Sequence, residues 1–242
     1  MNKWYVNEGD ESDVVISSRI RVARNFEKFL FPNSMNKKDM ITINELIKKS
    51  VINLDEIMKS KNSFFQMNKI DQLDKNILIE KHLISPGFVR LSEERALVLS
   101  KDETLSVMVN EEDHLRIQCM AEGLNFNPLL DKCKKVARVF ERVNNFAYDK
   151  TFGYLTACPT NVGTGMRVSS MMHLPALTIT GYIKTIFETC SKLGIAIRGM
   201  YGENTESYGN IFQVSNQITL GQKEEDIVTR VLDITKQIIV QE

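Results

Sequence analysis

Five arginines stand at positions from which their side chains can converge on one polyanion. Arg19 and Arg21 are two residues apart in an apolar segment typical of a strand, so both guanidinium groups leave the same face, with Cα atoms about 6.6 Å apart. Arg116 and Arg198 each lie on another predicted strand, and Arg167 follows a glycine-rich loop. One such arginine is usually solvated or ion-paired, whereas five together favour a convergent anion site. Because guanidinium groups bind phosphate oxygens in bidentate pairs, the pattern predicts a polyphosphate ligand.

The sequence contains none of the glycine-rich motifs that commonly bind nucleotide phosphates. GxxxxGK[ST], a GxGxxG that opens a helix, and the HRD and DFG motifs of protein kinases are all absent. Nine of the 12 glycines nevertheless lie between residues 153 and 221, which indicates either a turn-rich β region or loops that close around a ligand. If the chain binds a nucleotide, arginine side chains must hold the phosphates.

Acidic residues form the second chemical feature. Glu111, Glu112 and Asp113 are consecutive in the sequence NEEDH and repel one another unless a cation lies nearby. A lone acidic run of this kind is usually a solvated turn. Glu203, in RGMYGE, supplies a further carboxylate. Carboxylates on two sides of a pocket can bind a substrate cation or share acid–base catalysis.

The histidines and cysteines give weaker signals. The three histidines, at 82, 114 and 173, have no metal-ligand spacing, so no protein metal site is predicted. The four cysteines do not form a disulfide pattern, which favours a reduced, cytoplasmic protein. Cys158, in ACPTNVGTG, is either an inert buried thiol or a reactive one whose pKa is lowered by neighbouring cations.

The composition excludes several classes of protein. The chain has 242 residues, with 31 Lys and Arg against 31 Asp and Glu, and this zero net charge argues against a nucleic-acid-binding module that uses Arg19 and Arg21. No apolar stretch approaches the length of a membrane span, and the polar N-terminus does not resemble a signal peptide. We therefore expect neither a membrane nor a nucleic acid as partner.

The hydrophobic periodicity predicts an α+β fold. Strands are expected at residues 14–22, 95–100, 105–120 (a hairpin with the acidic run at its tip), 153–158, 195–202 and 211–220. Helices are expected at residues 39–60, 66–83, 129–147, 174–193 and 223–241. In the first strand, Ile16, Ile20 and Val22 are expected to face the core. Since no linker divides the chain, these elements predict a largely antiparallel sheet with helices packed on one face.

Four segments resemble, in order and spacing, the motifs of the ATP:guanido phosphotransferases, the family of creatine and arginine kinases. They are SSRIRVARN (17–25), NEEDHLRIQ (110–118), CPTNVGTGMR (158–167) and RGMYGENTES (198–207). The resemblance extends from about residue 14 to residue 240. Three more segments are most similar to the bacterial protein-arginine kinase branch: KHLISP (81–86), RVSSMMHLP (167–175) and YGNIFQVSNQITLG (208–221).

The resemblance implies roles for individual residues. Glu112 and Glu203 correspond to the carboxylates that bind the guanidinium group, with Glu112 as general base, and Cys158 corresponds to the reactive cysteine of the family. The five arginines correspond to those that bind the nucleotide phosphates. The residues implied in ATP binding are Ser17, Ser18, Arg19, Ile20, Arg21, His82, Arg116, Arg167, Val168, Ser169, Ser170, Met171, Arg198, Gly199, Met200, Tyr201, Gly202 and Glu203.

The resemblance also implies a fold and an activity. We expect residues 1–242 to form one glutamine-synthetase-like phosphagen kinase catalytic domain that uses ATP and Mg²⁺ to phosphorylate arginine residues of proteins. The N-terminal helical domain of phosphagen kinases and the C-terminal phosphoarginine-recognition domain of the branch are expected to be absent. A stress-response role, a zinc-containing activator protein and a cytoplasmic location are implied as well. Two alternatives stay open: a small-molecule guanidino kinase and a non-catalytic nucleotide-binding regulator.

Overall fold

The fold is built on one eight-stranded sheet whose neighbouring strands are all antiparallel. The computed structural model describes residues 3–90, 93–199 and 208–242. The strands of the sheet are β1 (Val15–Arg24), β2 (Asn62–Gln66), β3 (Ala96–Ser100), β4 (Leu105–Val109), β5 (Leu115–Glu122), β8 (Met166–His173), β9 (Ile195–Gly199) and β10 (Ile211–Asn216). Their order is β2-β3-β4-β5-β1-β8-β10-β9, and the short strands β6 (Tyr148–Asp149) and β7 (Gly153–Tyr154) form a separate hairpin. The N-terminal strand therefore lies at the centre of the sheet, where it positions its neighbours.

Helices cover one face of this sheet and complete the main core. The helices are α1 (Lys37–Met58), α2 (Gln72–Glu80), α3 (Pro86–Arg90), α4 (Phe126–Glu141), α5 (Pro175–Ile179), α6 (Ile183–Lys192) and α7 (Glu224–Gln241). α4 packs on β1 and β5, α6 on β9, and α7 on β8 and β10. Ile20 and Val22 from β1 are buried in the same cluster as Ile43 and Ile47 of α1 and Phe140 of α4. The expected antiparallel sheet is confirmed, and its longer helices pack on one face as expected, whereas the short helices α2 and α3 pack on the other face.

A small second layer lies on the opposite face, at the β2-β3-β4 end. Leu97 of β3 and Met108 of β4 form a separate cluster with Met67, Ile84 and Phe88. Since successive residues of a strand face opposite sides, these side chains lie across the sheet from Val98 and Val107 of the main core. Beyond this layer, the same face carries Arg19, Arg21 and Gln118 in the central strands, next to Met120 and Met171.

Several element boundaries differ from the sequence prediction for local reasons. The helix expected at 66–83 is limited to α2, because residue 66 ends β2, Met67–Lys69 form a 3-10 turn, and the side chain of Asp71 caps the start of α2. The helix expected at 174–193 divides into α5 and α6 around Gly181, which has a φ of +77°. The expected strand at 153–158 stops at Tyr154.

The first strand differs from its prediction in one side chain. Its register shifts between Val15 and Ser17, and this irregularity buries Val15 and leaves Ile16 41% exposed. Ile20 and Val22 face the core as expected. Within the described ranges, every helix is too short or too polar to cross a membrane.

Candidate active site

The sheet register brings the predicted arginines to the face opposite the helices. Arg21 on β1 lies directly across from Arg167 on β8 and from Gln118 on β5. Arg19 pairs in the same way with Ser169 and Met120. Residues directly opposite in an antiparallel sheet share a face, so these side chains lie together in the central strands.

The other two arginines extend this group on both sides. Arg116 on β5 pairs with Ala23 of β1, two residues beyond Arg21 on the same face. Arg198 on β9 pairs with Gln213 of β10, whose amide oxygen accepts a hydrogen bond from Arg19 at 2.8 Å. The structure thus places five arginines on one face of the sheet, on β5, β1, β8 and β9, with β10 between the last two strands. We call Arg19, Arg21, Arg116, Arg167 and Arg198 the arginine cluster.

The described residues neutralise only part of the positive charge of the arginine cluster. Burial lowers the pKa of Arg19 to about 10, with further lowering by Arg116 and Arg167. Burial also lowers the pKa of Arg21, as do the charges of its three neighbours, with Glu111 opposing them. Burial and the charge of Arg198 lower the pKa of Arg167.

Polar contacts and ion pairs neutralise little of this charge. The side chain of Arg19 contacts the neutral oxygens of Ser169 and Gln213. Within the described part of the chain, Arg116 is the one member of the cluster that forms an ion pair. Confined cations that repel one another are stabilised by an anion, so the site is built for a multiply charged ligand.

Two carboxylates at the β4-β5 turn adjoin the cluster but differ in exposure. Glu111 has a side chain that is 9% exposed, with Oε2 at 2.8 Å from Nη1 of Arg116 and a hydrogen bond from Ser85 to Oε1. Glu112 is 45% exposed and lies 3.6 Å from Nη2 of Arg116. Glu111 is therefore held in place by the protein, whereas Glu112 is reachable by a substrate.

Asp113, the third acidic residue of the turn, connects three segments of the site by hydrogen bonds. Asp113 is buried, and its Oδ1 accepts hydrogen bonds from Nδ2 of Asn25 at 2.6 Å and from the backbone N–H of Ala157 at 2.8 Å. The Asn25 amide also accepts from the N–H of His114. These bonds connect the end of β1, the acidic turn and the loop that carries Cys158. These hydrogen bonds give the buried Asp113 a structural role, whereas the exposed Glu112 makes no comparable bonds among the described residues.

His114 is expected to make the fold less stable as the pH falls from 7 to 5. Its Nδ1 accepts from the N–H of Phe26, which leaves Nε2 to donate to the carbonyl of Leu30 at 2.8 Å. Burial lowers its pKa from 6.5 to about 4, with the Leu30 carbonyl opposing the shift. The unfolded chain then binds a proton near pH 6.5 that the native state does not bind until about pH 4. The free energy of unfolding should therefore drop by about 2 kcal/mol between pH 7 and pH 5.

Urea unfolding of the wild type and of His114→Gln at these two pH values measures this contribution. We expect the pH-dependent loss to be smaller in the variant by about 2 kcal/mol. Equal losses in both proteins would show that His114 is not the group responsible.

Cys158 lies beside the arginine cluster, and among the described residues its thiol has a hydroxyl group as hydrogen-bond partner rather than a base. Its Sγ is 3.0 Å from Oγ1 of Thr160, and the thiol is close enough to Arg167 that its ionised form raises the pKa of that arginine. A hydroxyl group does not activate a thiol as a nucleophile by taking its proton. This geometry suits an electrostatic or positioning role.

Cys158→Ala is expected to lower kcat by roughly one order of magnitude, far less than the loss of a covalent nucleophile costs. Cys158→Ser is the matched control because it keeps a hydrogen-bonding group next to Thr160. Steady-state kinetics of both variants measure the effect. A loss of many orders of magnitude would point to covalent catalysis, and unchanged turnover would make the thiol dispensable.

A cleft of about 270 Å³ opens on the same face, at the Ser17 end of β1. Of the residues predicted to bind ATP, it is lined by Ser17, Arg19, His82, Ser169 and Met171. Burial lowers the pKa of His82, and the charge of Arg19 lowers it further. The sequence prediction missed the other lining residues, which are Trp4, Tyr5, Ile16, Glu80, Lys81, Met120 and Gln213. Met120 follows Arg116 and Gln118 at intervals of two along β5, and this spacing would have indicated that it shares their face of the sheet. No sequence signal placed Trp4 and Tyr5 at this cleft.

Other predicted site residues lie elsewhere or outside the described residues. Ser18, Ile20, Val168 and Ser170 are fully buried, and they alternate along β1 and β8 with the residues of the arginine face. Ser18 donates to the carbonyl of Gly123, and Ser170 contacts Thr235 of α7. The structure does not bring these four side chains to the arginine face, so they contribute by building the strands. Gly199 ends β9, and Met200, Tyr201, Gly202 and Glu203 lie outside the described residues.

Comparisons with known proteins agree with this geometry. Residues 42–242 match the family described as ATP:guanido phosphotransferase, C-terminal catalytic domain. Protein-arginine kinases of Bacillus cereus (strain AH187) and Bacillus anthracis (strain CDC 684 / NRRL 3495) are each 45% identical to this chain over all its 242 residues, which span 68% of the relative.

Solved structures show the same architecture. The duplicated taurocyamine kinase from Schistosoma mansoni, with bound transition state analog components, superposes with a TM-score of 0.85 at 28% identity, over 95% of this chain and 33% of that one. Lombricine kinase superposes with a TM-score of 0.84 at 23% identity, over 97% of this chain and 67% of that one, and at this identity it supports the fold alone. With the family match and the 45% identity across its whole length, the chain belongs to the ATP:guanido phosphotransferases.

Proposed function

We propose that this chain transfers the γ-phosphoryl group of ATP to the guanidinium group of arginine residues in proteins. The observation that carries the proposal is the arginine cluster, an excess of confined positive charge next to the exposed carboxylate of Glu112. Cations that suit a triphosphate and an anion that suits a guanidinium thus lie side by side. The 45% identity to proteins named protein-arginine kinase supports the choice of a protein substrate.

The chemistry explains why a carboxylate is needed. An arginine side chain stays protonated in water, with a pKa above about 12, and its nitrogen lone pairs are delocalised. A carboxylate with a pKa of about 4.3 does not deprotonate it in advance. The nitrogen proton becomes acidic only as the N–P bond forms, and a carboxylate placed on that proton then accepts it. We assign this role of general base to Glu112.

The remaining rate enhancement comes from positioning and charge. The phosphoryl transition state is loose, with charge spread over the equatorial oxygens, so preorganised cations stabilise it. Arg19, Arg21 and Arg167 occupy the centre of the sheet, where strand pairing holds their backbones. We propose that Glu203, which lies outside the described residues, binds the second side of the guanidinium group and orients it.

Magnesium is proposed as the ion that accompanies ATP. Among the described residues, no three His, Cys, Asp or Glu side chains form a metal-binding group. Mg²⁺ commonly takes only one or two carboxylates from a protein, with the remaining oxygens from water and phosphates. Glu111 is already held by Arg116 and Ser85, so we assign the ion no protein ligand, and oxygens of ATP and water would hold it. When bound, the ion neutralises phosphate charge.

Further features of the proposal rest on the family relationship. We propose one catalytic domain over residues 1–242, a cytoplasmic location, a role in stress response and a zinc-containing protein as activator. The free cysteines at 119, 133, 158 and 190 are consistent with a reducing compartment. Copurification of a zinc-binding protein that raises kcat would test the activator.

A small-molecule guanidino kinase is the second candidate. It is favoured by the structural similarity to taurocyamine kinase at 28% identity. Incubation of the chain with MgATP and, separately, free arginine, creatine or an arginine-rich protein distinguishes the two. Acid-labile phosphate on the protein supports our proposal, whereas phosphate on a free guanidine alone supports the second candidate. No transfer to any acceptor, with ATP still bound, would indicate a non-catalytic regulator.

A further inference from the structure

The cleft at the Ser17 end of β1 has a floor made by the sheet and a wall made by the N-terminus. Its floor consists of side chains from four adjacent strands, with Met120, Arg19, Ser169 and Gln213 as one member from each. The wall includes Trp4, whose segment Trp4–Val6 forms a short 3-10 turn. The cleft therefore has an aromatic side as well as a cationic end.

The N-terminal turn is fastened in place by contacts on both sides of Trp4. Lys3 donates to the carboxylate of Glu103 at 2.6 Å, and the same carboxylate accepts from Lys81 at 3.2 Å. The backbone N–H of Trp4 lies 3.4 Å from the carbonyl of Asp102. The Lys81 ammonium also lies 5.4 Å from the ring centroid of Tyr5. Because Lys81 lies next to His82 in the cleft, these bonds hold the aromatic wall against the rest of the lining.

The cleft and the arginine cluster share Arg19, so one ligand can occupy both. From Ser17 to Arg21, the strand advances by about 13 Å, which separates an apolar pocket from the centre of positive charge. Resting on the function proposed above, we propose that Trp4 contacts the nucleobase of ATP and makes the site select nucleotides over bare polyphosphates. Residues 1–41 lie outside the range that matches the family, so the match assigns no role to Trp4.

Trp4 is the one tryptophan of the chain, which allows a direct test in the unaltered protein. Its fluorescence and its quenching by acrylamide are measured during titration with ADP, while calorimetry records ADP binding independently. We expect the emission to change and the quenching to decrease with the same midpoint as the heat signal. ADP binding by calorimetry with unchanged emission and quenching would overturn the role of Trp4 and leave the proposed function intact.

A variant separates contact with the base from a general structural role. Trp4→Leu should weaken ADP binding about tenfold, the size of one base–aromatic stack, and leave the affinity for inorganic tripolyphosphate unchanged. Trp4→Phe should restore most of the ADP affinity, because it keeps an aromatic face. Equal weakening of ADP and tripolyphosphate binding in Trp4→Leu would contradict the proposal. The fluorescence titration decides the question if Trp4→Leu does not fold. Failure of the wild type to bind either ligand would instead contradict the proposed function, on which this inference rests.

Discussion

Glu112→Gln is expected to lower kcat by roughly two to four orders of magnitude while ATP binding changes little. The variant keeps the size of the side chain and removes the charge that accepts the guanidinium proton. Glu112 is exposed and lies 3.6 Å from Arg116, so losing its charge leaves the ion pair between Arg116 and Glu111 in place. Steady-state kinetics with MgATP and an arginine-rich protein measure kcat, and calorimetry measures ATP affinity.

The matched control for this prediction is Glu45→Gln, an exposed glutamate on α1 away from the acidic turn. It should keep wild-type turnover. Near-normal turnover of Glu112→Gln would show that the general base is a different group. A large loss of ATP affinity would instead place Glu112 among the residues that hold the nucleotide.

Arg21→Met is expected to remove activity without weakening the ligand-free fold. Arg21 lies between Arg167 and the strand that carries Arg116, and burial and like charges lower its pKa. Removing this charge takes a phosphate-binding group away, and we expect kcat/KM for ATP to fall by about 10²- to 10³-fold. It also relieves repulsion, so the melting temperature of the ligand-free protein should stay the same or rise. Thermal melts with and without ADP, together with kinetics, test both parts.

Arg230→Met on α7 is the control, because Arg230 is exposed and its hydrogen bond to Gln222 lies outside the cluster. We expect it to keep both activity and the stabilisation by ADP. A lower melting temperature of ligand-free Arg21→Met would show that Arg21 stabilises the fold rather than binding phosphate. Retained ADP stabilisation in that variant would remove Arg21 from the nucleotide site.

Alternation and spacing were sufficient to predict β1, the hairpin next to it and the common face of Arg19 and Arg21, whereas the central strand β8 was not among the predicted strands. Arg19 and Arg21 are separated by one buried apolar residue, and this period of two fixes their common direction before any partner strand is known. The hairpin over 105–120 also follows from alternation, and its turn carries the acidic run as expected. Which strands adjoin β1 depends on long-range pairing, which local periodicity does not encode.

The parts that escaped prediction depend on tertiary contacts. Asp113 and Glu112 are neighbours in the same acidic run, yet one is buried by Asn25 and Ala157 while the other is exposed. The position of Trp4 could not be predicted from hydrophobic periodicity, because the 3-10 turn Trp4–Val6 is too short to show a repeat. The turn is held in place by the tertiary contact between Lys3 and Glu103. The sequence predicts no strand over residues 62–66, although they pair with β3 as an edge strand.

The central claim is that the arginine cluster and Glu112 together move a phosphoryl group onto protein arginine. Tandem mass spectrometry at neutral pH, on an arginine-rich protein treated with MgATP and the wild type or Glu112→Gln, tests it most directly. We predict a gain of one phosphate that fragmentation places on arginine, present with the wild type and reduced at least about 100-fold with the variant. Phosphate on serine, threonine or tyrosine, or no phosphate on protein at all, would contradict the account.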